Sequence, residues 1–330
     1  MQIASVTAAD HADFLALVDA EIRPDRAKTN AWDDFPLILA AENRSWQLVA
    51  RDADGEIAAG LACLIRTYVT SCGDLPVAGI GSVVTRPRDR GRGLSSRLQN
   101  EMLSRLRRKN IPLAVLWTDQ PAIYAGRGFT AAGWEVHADL TDARLPLEPP
   151  TGHVVRPYRT DDAPAAADLY AAHRLRTRRL SGDTGRLYGM PGTRGLILAD
   201  TAEDRPVAAV FCSKGADFVD YVAEWLGPAR DVLPLLGEAV VRRWARHVLI
   251  PAGGEALAAE LGRRGAGCRA QPSGFWAVLA PGPLVTAARA AGRAAPDDLD
   301  SPVAWLGTVD PQQRPVAGII DIAVWGMDSV

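Results

Sequence analysis

The chain has 330 residues, 48% of them apolar and 23% charged, with a formal net charge of −2. That length accommodates two ordinary domains, each burying its own core. The balance of 37 basic against 39 acidic residues excludes a global electrostatic footprint for DNA, RNA or an anionic membrane.

Lys28, Lys109 and Lys214 are the lysines, and alanine is abundant, a composition that points to a GC-rich bacterial genome. Cys63, Cys72, Cys212 and Cys268 form no CxxC pair, and no His/Cys cluster has ligand spacing, so reduced buried thiols and no metal site are expected. The N-terminus lacks a charged segment followed by an apolar one, and no apolar run approaches the ~18 residues of a membrane span. A cytoplasmic protein that engages no membrane is expected.

Residues 3–6 read as a first strand, and Thr7 with Asp10 gives a capping-box-like start to a helix through residue 22. An acidic trio, Asp33, Asp34 and Glu42, stands in the mixed segment 25–45. Strands at 46–51 and 56–69 flank Asp52-Ala53-Asp54-Gly55, and Asp-Gly between apolar runs marks a hairpin. After a turn at Gly73-Asp74, residues 78–85 read as a buried strand that Pro87 stops. Arg88-Asp89-Arg90-Gly91-Arg92-Gly93 then leads into an amphipathic helix over 94–109, with Leu94, Leu98, Met102 and Leu106 recurring at i+4. Residues 113–117 make a fifth strand, and Asp119 caps a short helix that carries Pro121 and Tyr124. A strand at 134–138 follows, and the proline-rich segment 146–152 is the best linker.

The second half repeats this order: a strand at 154–157, a helix over 160–172, hairpin strands at 195–200 and 206–212, a strand at 218–225, a helix over 231–247, a strand at 248–250 and a helix over 255–264. Arg174, Arg176, Arg178 and Arg179 read as a solvated face or a contact to another subunit. The turn equivalent to 88–93 is Gly227-Pro228-Ala229-Arg230-Asp231, with no second glycine and a proline inside it. The tail adds a strand near 274–279, a helix over 284–291 and an apolar run at 316–325.

The turn at 88–93 carries the chemistry. Gly91 and Gly93 let backbone N–H groups approach a ligand closely, the dipole of the following helix favours negative charge, and the arginines add more. A phosphate ligand is predicted. The lysine of a P-loop is absent, and Ser96 stands where a dinucleotide fingerprint has its third glycine. Without interleaved aromatics, the arginines do not read as a nucleic-acid patch.

At these residues the first half resembles the GNAT superfamily of acyl-CoA-dependent N-acetyltransferases. That family's fingerprint, Arg/Gln-x-x-Gly-x-Gly/Ala, stands here as Arg88-Asp89-Arg90-Gly91-Arg92-Gly93. A second motif, Tyr-x-x-x-Gly-Phe, stands as Tyr124-Ala125-Gly126-Arg127-Gly128-Phe129. The Arg-Gly-Arg-Gly-Leu-Ser wording, Phe35-Pro36-Leu37 and the tandem arrangement are similar to the enhanced-intracellular-survival type, although its third, lipid-carrier-like domain has no clear counterpart over 274–330. The implied fold is α/β, two tandem GNAT-like domains that are each a mostly antiparallel twisted sheet flanked by helices. Residues 1–145 would form the catalytic domain binding acetyl-CoA, and residues 152–330 a degenerate copy without the CoA turn.

The resemblance also implies roles. The backbone of Val83, Val84 and Thr85 would hold the pantetheine and the acetyl carbonyl. Gly91, Arg92, Gly93, Leu94, Ser95 and Ser96 would wrap the pyrophosphate, with Arg88, Arg90 or Arg92 adding charge-assisted contacts. Tyr124 would protonate the departing thiolate, a role that suits a phenol with an ordinary pKa of about 10. Two groups are candidates for the base, Asp119 and the terminal carboxylate of Val330. Asp33, Asp34, Trp117 and Asp119 would face the acceptor, and carboxylates there would favour a cationic amine. The expected function is direct acetyl transfer from acetyl-CoA, as co-substrate and without a metal, to a primary amine of a small molecule or peptide. A non-catalytic acyl-CoA-binding sensor or assembly module is the alternative. The acceptor's identity and the oligomeric state, a homo-oligomer included, stay open.

Overall fold

In the computed structural model, which describes residues 2–23 and 30–329, the chain forms two mixed sheets flanked by helices. The strands are β1 (Ile3–Ser5), β2 (Gln47–Arg51), β3 (Ile57–Thr70), β4 (Gly73–Thr85), β5 (Leu113–Leu116), β6 (Thr130–Ala132), β7 (Glu135–Asp139), β8 (His153–Pro157), β9 (Arg176–Thr177), β10 (Arg194–Asp200), β11 (Pro206–Lys214), β12 (Asp217–Leu226), β13 (Ala245–Pro251), β14 (Gly267–Gln271) and β15 (Gly274–Val278). The first sheet runs β1-β2-β3-β4-β5-β15-β6, with β9 paired to β3, and the second runs β14-β7-β13-β12-β11-β10-β8. β4–β5 and β12–β13 are the parallel pairs, so each sheet repeats one pattern: a long hairpin followed by a helical crossover.

Local chemistry places the elements around the first sheet. Thr7 and Asp10 bond reciprocally, with the Thr7 N–H and hydroxyl donating to the Asp10 carboxylate at 3.0 and 2.7 Å, just ahead of α1 (His11–Ile22). A short α2 (Ala31–Asp34) follows. Asp52 accepts from the N–H groups of Asp54 and Glu56, both at 3.0 Å, which closes the β2–β3 hairpin. Side chains alternate across β4 and β5. Ala78, Ile80, Ala114 and Leu116 pack against α3 (Leu94–Arg108), whose Leu94, Leu98, Met102 and Leu106 are buried. Val77, Leu113 and Val115 face the other way, into a cluster with Trp276, Trp305 and Ile320 from the last fifty-odd residues. At Gly60, α1 comes so close that an added Cβ would stand 2.5 Å from the Phe14 ring.

Three placements differ from the sequence reading. β15, expected with the second half, is inserted between β5 and β6 of the first sheet, where Trp276 pairs with Val115 and is fully buried. β7, expected with the first half, pairs with β13 and β14 of the second sheet. The two halves therefore exchange a strand across residues 133–134 and 272–273. Within the apolar run 316–325 only the short strand Pro315–Ala317 is regular, while Ile320, Ile322, Val324 and Trp325 are buried in irregular chain. Their backbone is served individually, as where Ile320 N–H donates to Trp305 C=O at 2.8 Å and Asp321 N–H to Ser71 Oγ at 2.8 Å.

The arginine-rich stretch needs a correction as well. Arg178 does lie on the surface, paired with Asp74 at 2.7 Å. Arg179 does not: its side chain is 5% exposed and donates to Glu224 of β12, to Asp328 of the tail and to the Tyr188 hydroxyl. Its guanidinium also lies 3.7 Å from the centre of the Tyr170 ring. Two buried carboxylates from distant segments supply the partner that periodicity could not show.

Candidate active site

Pairing between β4 and β5 ends at Gly79 and Val115, after which the strands part. The partner strand β3 meets a bulge at the same level: Ala62 pairs with Gly81 but Gly60 with Val84, so one extra residue is accommodated, and Ser82 takes φ +51°. The backbone of residues 81–85 consequently faces a cleft of about 750 Å³ instead of a neighbouring strand. Its walls include Val83, Val84, Thr85, Gly91, Gly93, Leu94 and Ser95 on one side and Trp117, Asp119, Ile123 and Tyr124 on the other.

The turn at one end of the cleft is pre-organised. Gly91 and Gly93 have φ of +75° and +71°, a region that disfavours side chains, and the space where a Cβ would go is open at both. From Gly91 to Ser96 the backbone N–H groups have no partner among the described residues, and α3 begins at Leu94. Six donors at the positive end of a helix dipole fit a phosphate group. Asp89, 3% exposed, holds the turn by accepting from Arg86 and Arg92, each at 2.6 Å, and these arginines lower its carboxyl below the ordinary range.

The three fingerprint arginines separate. Arg90 lines the cleft, donates to Thr85 C=O at 3.3 Å and pairs with Glu21 of α1. Arg88 turns outward to Glu56 at 2.7 Å, and Arg92 is engaged by Asp89. Neither residue lines the cleft, and Ser96 also lies off its wall.

Tyr124 sits on α4 (Ala122–Ala125), half-buried, edge-on to Phe129 with ring centres 6.1 Å apart. Burial raises its phenol above the ordinary value; Arg127 opposes the shift and Asp119 adds to it. Asp119 is exposed at the cleft wall and does not cap α4: Pro121 holds the N-cap position, and Gln120 N–H is taken by the Thr118 hydroxyl at 2.9 Å. Trp117 donates from its indole to Ser273 C=O at 2.9 Å. It walls both the cleft and a cavity of about 20 Å³ that it shares with Arg66, Arg179, Asp183 and Asp328.

The acidic trio lies elsewhere. Asp34 is fully buried, accepts from Arg23 at 2.7 Å and from Ala216 N–H at 3.3 Å, and so ties α2 to the second half. Asp33 accepts from the Asn30 amide at 3.2 Å, Glu42 pairs with Arg186 on the surface, and none of the three lines the cleft. Val330 lies outside the described residues. Sequence reasoning missed Gln99, a buried side chain on the cleft wall whose one signal is a polar residue inside the apolar stripe of α3. In the second sheet, β12 and β13 also part, after Val222 and Val248, but there the tail packs in: Trp325 meets Trp225 with ring centres 5.2 Å apart, and Gly326 lies against Ala223.

Residues 2–132 match a family described as an acetyltransferase (GNAT) domain. An uncharacterized N-acetyltransferase of Streptomyces coelicolor is 29% identical over 202 residues, 58% of this chain and 47% of that protein. The chain thus spans about half the length of the curated relatives it matches. Among solved structures, a GCN5-related N-acetyltransferase from Anabaena variabilis has the same fold with a TM-score of 0.63 at 16% identity, covering 98% of this chain and 85% of that one. Eis1 from Mycobacterium abscessus does so with a TM-score of 0.61 at 13% identity, covering 87% and 76%. No helix among the described residues is long and apolar enough to cross a membrane.

Proposed function

Since the chain carries a GNAT acetyltransferase domain over residues 2–132, we propose that it transfers the acetyl group of acetyl-CoA directly to a primary amine. The observation that carries this reading is the cleft between the parted strands β4 and β5. It has a row of unpartnered N–H groups at one end and a half-buried tyrosine on the wall.

In this reading the N–H groups from Gly91 to Ser96 bind the pyrophosphate, and Arg90 adds the nearest charge. The bulged backbone at Val83–Val84 binds the thioester carbonyl and holds the negative charge that grows on its oxygen. The amine nitrogen attacks the carbonyl carbon, a C–N bond forms and the C–S bond breaks. Tyr124 gives its proton to the leaving thiolate, and its raised pKa keeps that proton in place at neutral pH. The amine must shed a proton in turn. Glu21 and Asp89 are committed to arginines, whereas Asp119 has no ion-pair partner among the described residues, so Asp119 is the wall carboxylate assigned to take it. The acceptor would approach on the Trp117 side, next to the cavity shared with Asp183 and Asp328.

The test is release of CoA thiol from acetyl-CoA against a panel of aminoglycosides, polyamines, peptides and small amines, with Tyr124→Phe alongside. Amine-dependent release that falls in the variant is expected. Tight acetyl-CoA binding with no release across the panel would instead identify a non-catalytic acyl-CoA-binding module.

A further inference from the structure

The cleft holds a polar side chain that the protein itself leaves unsatisfied. Gln99 lies in the second turn of α3 and is 2% exposed, and neither its Oε1 nor its Nε2 has a hydrogen-bond partner among the described residues. Its neighbours on the helix, Leu98, Met102 and Leu103, are apolar and buried. Leucine or methionine at position 99 would simply continue that stripe. Burying both ends of a carboxamide without partners destabilises a fold, so such a group in a native protein calls for a partner, an ordered water or a ligand, that completes it. Gln99 lines the cleft, and so does Ser95, one turn earlier on the same helix face.

The chemistry of the missing partner is constrained. A phosphate only accepts hydrogen bonds and would satisfy Nε2 alone, whereas a secondary amide accepts from Nε2 and donates to Oε1 at once. Position matters too. Gln99 stands six residues past the N-cap Gly93, about 9 Å deeper along the helix axis than the turn that fits the pyrophosphate. On the functional reading above, the part of the ligand lying deeper than the pyrophosphate is the pantetheine arm, which carries two secondary amides.

We propose that the Gln99 carboxamide pairs with a secondary amide of the pantetheine arm of the acyl-CoA, which makes Gln99 a specificity-determining residue for that arm. The proposal rests on the acetyl-CoA reading of the cleft and adds a partner that the backbone of β4 and the glycine turn do not supply.

The experiment compares the full chain with Gln99→Leu and Gln99→Met, using calorimetric binding of CoA and of adenosine 3′-phosphate 5′-diphosphate, which is CoA without its pantetheine arm. Without ligand, both variants should melt at or above the wild-type temperature, because the orphaned amide is gone. CoA should bind them about 10-fold more weakly, while the arm-less nucleotide binds all three proteins equally; KM for acetyl-CoA should rise by the same factor with kcat nearly unchanged. Wild-type affinity for CoA in both variants would overturn the proposal, and so would an equal loss of CoA and of the arm-less nucleotide. If the wild-type chain binds neither ligand, the acetyl-CoA reading itself falls and takes this inference with it.

Discussion

Replacing Arg179 with methionine tests how the tail and the second half are held together. The wild-type guanidinium donates to Glu224 at 3.0 and 2.5 Å, to Asp328 at 2.9 and 3.1 Å and to the Tyr188 hydroxyl at 3.0 Å. Side-chain exposure is 5% for Arg179, 0% for Glu224 and 5% for Asp328, so water offers these groups almost nothing. Methionine fills most of the stem volume but leaves two carboxylates buried beside each other. Breaking a buried pair in this way costs about 3–5 kcal/mol. With an unfolding entropy of about 2.1 cal/mol/K per residue, a chain this long has about 0.7 kcal/mol/K in total, so the melting temperature should fall by about 4–7 °C. The sign with pH follows from Glu224, whose carboxyl burial pushes up even with Arg179 present; removing the cation pushes it further. A carboxyl with a raised folded pKa penalises the fold above that pKa, and the penalty fades as pH falls towards the unfolded value of about 4.3. The deficit should therefore be largest near pH ~8 and smaller near pH ~5, by scanning calorimetry of both proteins. A drop under about 1 °C at the higher pH, or one equal at the two pH values, would refute the reasoning.

Gly91→Asp puts a carboxylate among the unpartnered N–H groups of the turn at φ +75°, in open space that spares the core; acetyl-CoA affinity should fall at least ~100-fold by calorimetry, with melting little changed. Tyr124→Phe should lower kcat by about 100-fold with KM for acetyl-CoA nearly unchanged. Because burial raises the phenol's pKa, the wild-type rate should decline on the basic side only above about pH 10, and that limb should vanish in the variant. Gly60→Ala forces a Cβ to within 2.5 Å of the Phe14 ring and should cost about 1–3 kcal/mol in urea unfolding. Phe14→Leu in the same chain should recover part of that loss, since the two sites are in contact.

The glycine turn and the tyrosine on the cleft wall were legible because their signals are local. Two glycines at positive φ, an amphipathic helix starting at Leu94 and a short helix carrying Tyr124 all lie between Gly91 and Ala125, and each follows from turn chemistry or periodicity. Arg88, Arg90 and Arg92 looked equivalent at that level. They differ because Glu56, Glu21 and Asp89 claim one each; Asp89 belongs to the turn itself, but Glu56 and Glu21 come from distant segments. Asp34 read as an acceptor contact for the same reason: an acidic residue in a mixed segment does not reveal that Arg23 and Ala216 will bury it.

Composition, alternation and turn residues thus specify the order of strands and helices, the hairpins at Gly55 and Gly73, and the phosphate-fitting turn, since these depend on contacts a few residues apart. Which sheet a strand joins depends on the best-matched edge in the folded molecule. β7 and β15 are each only 5 residues long and trade places between the halves, with Trp276 filling a core far from its neighbours in sequence. The irregular tail and the Arg179–Glu224–Asp328 cluster belong to the same class, because a buried charge is tolerated only where the complete fold brings its partners together.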